Sequence, residues 1–172
     1  MEWQKNELEI NPVDKLEEIL SVLQDYNFEV HRGGEDNEEY SYLEKGCVCI
    51  TVLNPYQDSK LFIDLDDEFT LTYAQCHCHY FSDIDEYKLL MENLNAILKN
   101  HICSSSLYCG ENKKWLGSSF IPKSQIQQSV KKNFHFALKI SEFRNKLNAQ
   151  GGKVEYRFWN PADDLTVEIP QK

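Results

Sequence analysis

Residues 61–81 read Leu61-Phe62-Ile63-Asp64-Leu65-Asp66-Asp67-Glu68-Phe69-Thr70-Leu71-Thr72-Tyr73-Ala74-Gln75-Cys76-His77-Cys78-His79-Tyr80-Phe81. Aromatic and β-branched residues dominate, and Asp is a favoured turn residue. The stretch therefore predicts a short strand, a tight acidic turn at Asp66-Asp67 and one long strand over 68–81. Alternation along that strand sets Phe69, Leu71, Tyr73, Gln75, His77, His79 and Phe81 on one face. Thr70, Thr72, Ala74, Cys76, Cys78 and Tyr80 take the other. The two histidines then share a face, and the two cysteines share the opposite one.

Working outward toward the N-terminus, strands are expected at 59–65, 47–53, 40–44 and 27–31. The run Cys47-Val48-Cys49-Ile50-Thr51-Val52-Leu53 is almost wholly apolar, which marks a central strand buried on both faces. Short connections such as Asn54-Pro55 and Asp66-Asp67 imply antiparallel neighbours. Gly33-Gly34 and the acidic run after it read as an exposed turn. Asn11-Pro12-Val13-Asp14 opens a helix, with Asn11 as its cap and Val13, Leu16, Ile19, Leu20 and Leu23 along one stripe to about Asp25.

Working toward the C-terminus, Ser82-Asp83-Ile84-Asp85 starts a second helix that runs to about Asn100. Ser82 is the expected cap, and Leu90, Leu94, Ile97, Leu98 and His101 form the stripe. A hairpin follows at 102–108 and 114–121, turning at Gly110-Glu111-Asn112. Short helices are expected at 123–132, with Ile126 and Val130 facing in, and at 141–149, ending at Gly151-Gly152. A last strand pair, 154–159 and 165–169, turns at Asn160-Pro161. Runs of strands broken by a few helices indicate a single α+β domain over residues 1–172. Its mostly antiparallel sheet of hairpins is packed by the N-terminal and central helices.

Composition narrows the function classes. With 28 acidic and 18 basic residues the net charge is −10, which repels phosphate backbones and argues against nucleic acid; it favours a basic partner or serves only for solubility. The start, Met1-Glu2-Trp3-Gln4-Lys5, lacks the basic patch and apolar run of a secretory signal. No apolar stretch approaches the ~20 residues of a membrane span. Six cysteines without an export signal read as reduced thiols, so a cytoplasmic protein is expected.

Three constellations carry candidate chemistry. Cys76-His77-Cys78-His79 has zinc-ligand residue types but not the spacing of a finger, and neighbours on a strand point to opposite faces. His77 and His79 are the pair able to converge, with Asp64, Asp66, Glu68 or His101 as a further ligand. The competing reading packs the cysteines as small apolar residues and leaves the histidines as polar strand residues. The same histidines are also the natural acid–base candidates, but no Ser-His-Asp or Cys-His set can be placed, so no catalytic residue is assigned. The acidic set Asp64, Asp66, Asp67 and Glu68 lacks the glycine and distal glutamate of a calcium loop, and reads as a solvated hairpin tip. In Lys114-Trp115-Leu116-Gly117-Ser118, Gly117 signals a bulge. Trp115 reads first as a core residue, and as an interface anchor if exposed.

The acidic turn followed by Glu68, Phe69, Thr70, Leu71 and Tyr73, then His77, His79 and Tyr80, and later Lys114, Trp115, Gly117 and Ser118, resembles a family of small, uncharacterised bacterial cytosolic proteins. The chain departs from that pattern at Ala74, Gln75 and Cys76, where glycine, an acid and an aromatic would stand. Some similar proteins are regarded as immunity proteins, which neutralise a toxin by binding it. The resemblance favours a binding protein without naming a partner. Taken with the net charge and the absence of a catalytic constellation, it leads to the expectation of a non-enzymatic, cofactor-free immunity-type protein that covers a basic protein toxin, with Asp66, Asp67, Glu68, His77, His79 and Trp115 as the residues to test. The alternative is a zinc-binding protein or metal-dependent hydrolase using His77 and His79.

Overall fold

The computed structural model describes residues 9–34, 38–126 and 141–172, apart from the Ser141 side chain. The fold is α+β, as expected, but the hairpins assemble into two antiparallel sheets. One compact unit comprises Met1–Tyr73 and Cys78–Asn95, and the other comprises Ala74–His77 and Ala96–Lys172.

The first unit is organised on a five-stranded sheet in which every strand neighbours the next in sequence. Its strands are β1 (Phe28–Arg32), β2 (Val48–Leu53), β3 (Lys60–Leu65), β4 (Phe69–Tyr73) and β5 (Cys76–Tyr80), the last of which belongs to this unit from Cys78 onward. From β2 to β5 the connections are too short for a parallel crossover and permit only antiparallel neighbours, whereas β1 reaches β2 through the longer segment that holds residues 40–44. The β2 run is buried from Val48 to Val52, and Val30 of β1 and Ile63 of β3 flank Ile50. Leu61, Ile63 and Leu65 alternate inward with Phe69, Leu71 and Tyr73 across the β3–β4 ladder. Each such side chain contributes about 1.5–3 kcal/mol when fully buried. Helix α1 (Leu16–Val22) follows a turn of 3-10 helix whose Asn11 cap accepts from the Val13 backbone N–H at 3.1 Å, and it buries Leu16 and Ile19.

Two expected strands are not formed as such. Residues 40–44 are a short 3-10 turn and coil, not a strand. Tyr40 and Leu43 are buried there against Cys49, the Tyr40 hydroxyl lies 3.0 Å from Thr51 Oγ1, and the Tyr40 ring stacks on His31 at 3.6 Å. The aromatic alternation Tyr40-Ser41-Tyr42 imitates a strand, yet Tyr42 points out while Tyr40 and Leu43 seat the loop. The 68–81 stretch is two strands, β4 and β5, separated by a turn at Ala74-Gln75. Reversing the chain there changes which residues are neighbours: Thr70 now meets His79, 3.2 Å apart. Phe69, Leu71 and Tyr73 are therefore buried, as are Cys76 and Tyr80, while His77 and His79 are exposed.

Ala74 occupies the left-handed region at φ 52°, where a Cβ is unfavourable and glycine is the usual residue. Ala74→Gly is expected to raise stability by about 0.5–1 kcal/mol in urea unfolding, because strain relief outweighs the added freedom of the unfolded chain. Loss of stability would show that the turn is unstrained.

Helix α2 (Ile84–Leu98) buries Tyr87, Leu90 and Leu94. Its cap is Asp83 and not the expected Ser82. Asp83 Oδ1 accepts from the backbone N–H groups of Asp85 and Glu86, both at 2.9 Å, while the Ser82 hydroxyl donates to the Asp67 carbonyl. A carboxylate at this position also faces the positive end of the helix. Asn100, at φ 64°, ends the helix, with the His101 N–H bonded to the Ala96 carbonyl.

The second unit carries a four-stranded sheet in the order β7-β6-β8-β9: β6 (Ile102–Cys109), β7 (Lys114–Pro122), β8 (Gly152–Arg157) and β9 (Leu165–Ile169). The expected bulge is present. Leu107 pairs with Gly117 and Tyr108 with Trp115, leaving Leu116 as the extra residue, and Gly117 sits at φ 154°. Helix α3 (Ser141–Gln150) ends at Gly151, φ 67°, and contributes Leu147 to a core of Cys103, Leu107, Val154, Tyr156 and Phe158. Lys123–Gln125 is a short 3-10 turn, and Ile126 is buried. The rest of the expected 123–132 helix lies outside the described residues.

Candidate functional site

The β3–β4 turn, the end of β5 and the start of α2 converge in the first unit on one groove of about 1080 Å³. Its lining carries eight carboxylates: Glu9, Asp64, Asp66, Asp67, Glu68, Asp83, Asp85 and Glu86. Among the described residues no lysine or arginine lines it, and His79 is the one lining residue able to become cationic. Tyr42, Leu43, Phe81 and Ile84 add apolar surface.

Local structure explains how the acids are held. Leu65 pairs with Phe69, so Asp66, Asp67 and Glu68 form the loop between β3 and β4. Asp66 Oδ1 accepts from the Asp67 N–H at 2.8 Å and from the Cys47 thiol at 3.0 Å. Asp64 Oδ1 accepts from the Tyr42 hydroxyl at 3.1 Å. These partners are neutral and satisfy the carboxylates without cancelling their charge. Glu68 Oε1 lies 2.7 Å from His79 Nδ1, which also contacts Thr70 Oγ1. Asp85 pairs with Lys88, and both side chains are well exposed. A pair so exposed is screened and contributes little.

The carboxylates also set the chemistry of the nearby thiols. The Cys47 thiol is pushed up to about 11, first by its hydrogen bond to Asp66 and then by desolvation and the surrounding acids. Burial, followed by the charge of Asp64, pushes Cys49 up to about 12. Burial does the same for Cys103, and all six cysteines are thiols. A thiol with a raised pKa holds little thiolate at neutral pH, so slow alkylation of Cys47 is expected despite its partial exposure. Asp66→Asn removes the charge that suppresses the thiolate. Alkylation of Cys47 at pH 7.5, followed by mass spectrometry, is expected to accelerate about tenfold or more. An unchanged rate would separate Asp66 from control of this thiol.

Of the residues singled out from sequence, Asp66, Asp67, Glu68 and His79 are brought together in the groove. His77 is exposed and does not line it. Among the described residues, no group of three or more His, Cys, Asp and Glu is placed to hold a metal ion. Trp115 belongs to the second unit and is 49 % exposed, so the core reading of this residue does not hold. Sequence reasoning missed Phe81, which is 72 % exposed. Alternation assigns it to a long strand, and only the Ser82-Asp83 helix start beside it signals a strand end. Tyr42 was missed for the related reason that residues 40–44 resemble a strand. No helix among the described residues is long and apolar enough to cross a membrane. No protein-family model, curated protein or solved structure matches this chain.

Proposed function

We propose that this chain is a non-enzymatic binding protein of the immunity type, acting in the cytoplasm by covering the surface of a basic protein toxin with the acidic groove of its first unit. The observation that carries this reading is the lining of eight carboxylates, with no lysine or arginine among the described lining residues. Such a concave field of one sign steers a basic protein and raises its rate of encounter, and exposed aromatics in the same groove supply contact area once the partner arrives. The immunity assignment draws on the resemblance of the 64–81 stretch and the Lys114-Trp115 strand. The test is titration of the purified protein with a basic toxin encoded beside its gene, over a range of salt. Tight binding that weakens as salt rises supports the reading. Absence of binding at low salt, or binding indifferent to salt, contradicts it.

A second reading, a zinc-binding protein or metal-dependent hydrolase, draws on the contact between Glu68 and His79. Carboxylate–imidazole pairs of this kind orient metal ligands. Elemental analysis of untagged protein tests it: one equivalent of zinc, lost in a folded His77→Ala/His79→Ala variant, would place this reading first.

A further inference from the structure

Phe81 is the most exposed large apolar side chain among the described residues, at 72 %, and its backbone is fixed from several directions. The Asp83 N–H bonds to the Phe81 carbonyl at 2.8 Å. Ser82 donates through its hydroxyl to the Asp67 carbonyl, and its own carbonyl accepts from the Ile10 N–H at 2.8 Å. Asp83 bridges Glu9 and caps α2. The ring is thus an exposed aromatic on an ordered support, and it has few torsions left to lose when a partner binds. Ordering costs of that kind reduce affinity when they are not met in advance.

The groove around Phe81 has a definite charge chemistry. Among the described residues, the groups that donate hydrogen bonds to Asp64, Asp66 and Asp83 are neutral, and of the lining carboxylates Glu68 and Asp85 alone have an ion-pair partner. The second unit is different: Glu155 pairs with Lys153 and Arg157, Asp164 with Arg157, and Asp163 with Lys123. Beside Phe81, by contrast, six of the eight lining carboxylates have no ion-pair partner among the described residues.

We propose that Phe81 is the anchor for arginine side chains of the partner, whose guanidinium planes stack on its ring while their N–H groups reach the groove carboxylates. This rests on the groove being the binding face. Guanidinium suits both halves of the site: it is planar, weakly hydrated, stacks on aromatic faces and presents a fork that matches carboxylates. Lysine supplies the charge but is more strongly hydrated and does not stack. The groove volume, about 1080 Å³, accommodates several residues of a polypeptide segment.

The experiment measures fluorescence anisotropy of two labelled synthetic peptides on the full chain, one rich in arginine and the other its lysine-for-arginine counterpart. Wild type is expected to bind the arginine peptide about fivefold more tightly. Phe81→Ala abolishes that preference, and Phe81→Trp retains it. Equal binding of the two peptides by wild type, or a preference unchanged in Phe81→Ala, overturns the proposal. In that case the groove reading survives if D66N/D67N/E68Q weakens both peptides. If neither peptide binds, or the triple variant binds both as wild type does, the groove reading fails and the arginine proposal fails with it.

Discussion

The triple variant D66N/D67N/E68Q is expected to weaken association with a basic partner by about a hundredfold at low salt, with the effect shrinking as salt is raised. The expectation follows from adding three charges. Each interaction across a solvated acidic face contributes up to about 1 kcal/mol, and about 1.4 kcal/mol is a tenfold change in affinity. The substitutions keep the shape of the tip. The amide that replaces the Asp66 carboxylate retains the oxygen that accepts from the Asp67 N–H, and Asp66 and Asp67 are exposed in the free chain. Most of the change belongs in the association rate, because the removed charges steer encounter. Stopped-flow mixing at several salt concentrations separates the two rates. An association rate equal to that of wild type would place the binding face elsewhere.

Gly33→Ala is expected to lower stability by about 2–4 kcal/mol, the largest effect of a single methyl group in the first unit. A Cβ at this position would lie 1.6 Å from the Glu44 carbonyl oxygen and 2.5 Å from its carbon, and both belong to backbone. The Gly33 N–H is bonded to the Cys47 carbonyl at 2.9 Å, so position 33 ties the end of β1 to the residue just before β2. Pushing Glu44 away also pulls Leu43 and Tyr40 from their seat against Cys49. Because Tyr42 and Leu43 line the groove, partner affinity should fall with stability. Urea unfolding checks the first effect and titration the second. A variant within about 0.5 kcal/mol of wild type would show that the loop relaxes freely.

Much of this architecture follows directly from residue pattern. The apolar run at β2, the acidic turn between β3 and β4, the Gly117 bulge and the Gly151 helix stop each rest on a local signal that tertiary contacts do not override. The β4–β5 turn has no such signal. Ala74-Gln75 lacks the glycine, asparagine or aspartate that positive φ favours, so unbroken β propensity reads straight through it. That single omission exchanges the neighbours and the facing of every residue in β5 and sets the histidines on the wrong side of the core. The groove is half visible for the same kind of reason. Asp66, Asp67 and Glu68 are contiguous in the chain, but Glu9, Tyr42 and Phe81 join them only once the fold has formed. The division of the nine described strands between two sheets depends on pairings between distant segments, such as β6 with β8, which no local pattern encodes.

The central claim is that the acidic groove of the first unit is the face that binds. Amide hydrogen exchange of the full chain, with and without a saturating basic toxin encoded beside its gene, tests this most directly. The account predicts slowed exchange at residues 64–70 and 79–86, the segments that form the groove, and little change along β7. Protection confined to β7 and its exposed Trp115, with 64–70 and 79–86 unchanged, would contradict it.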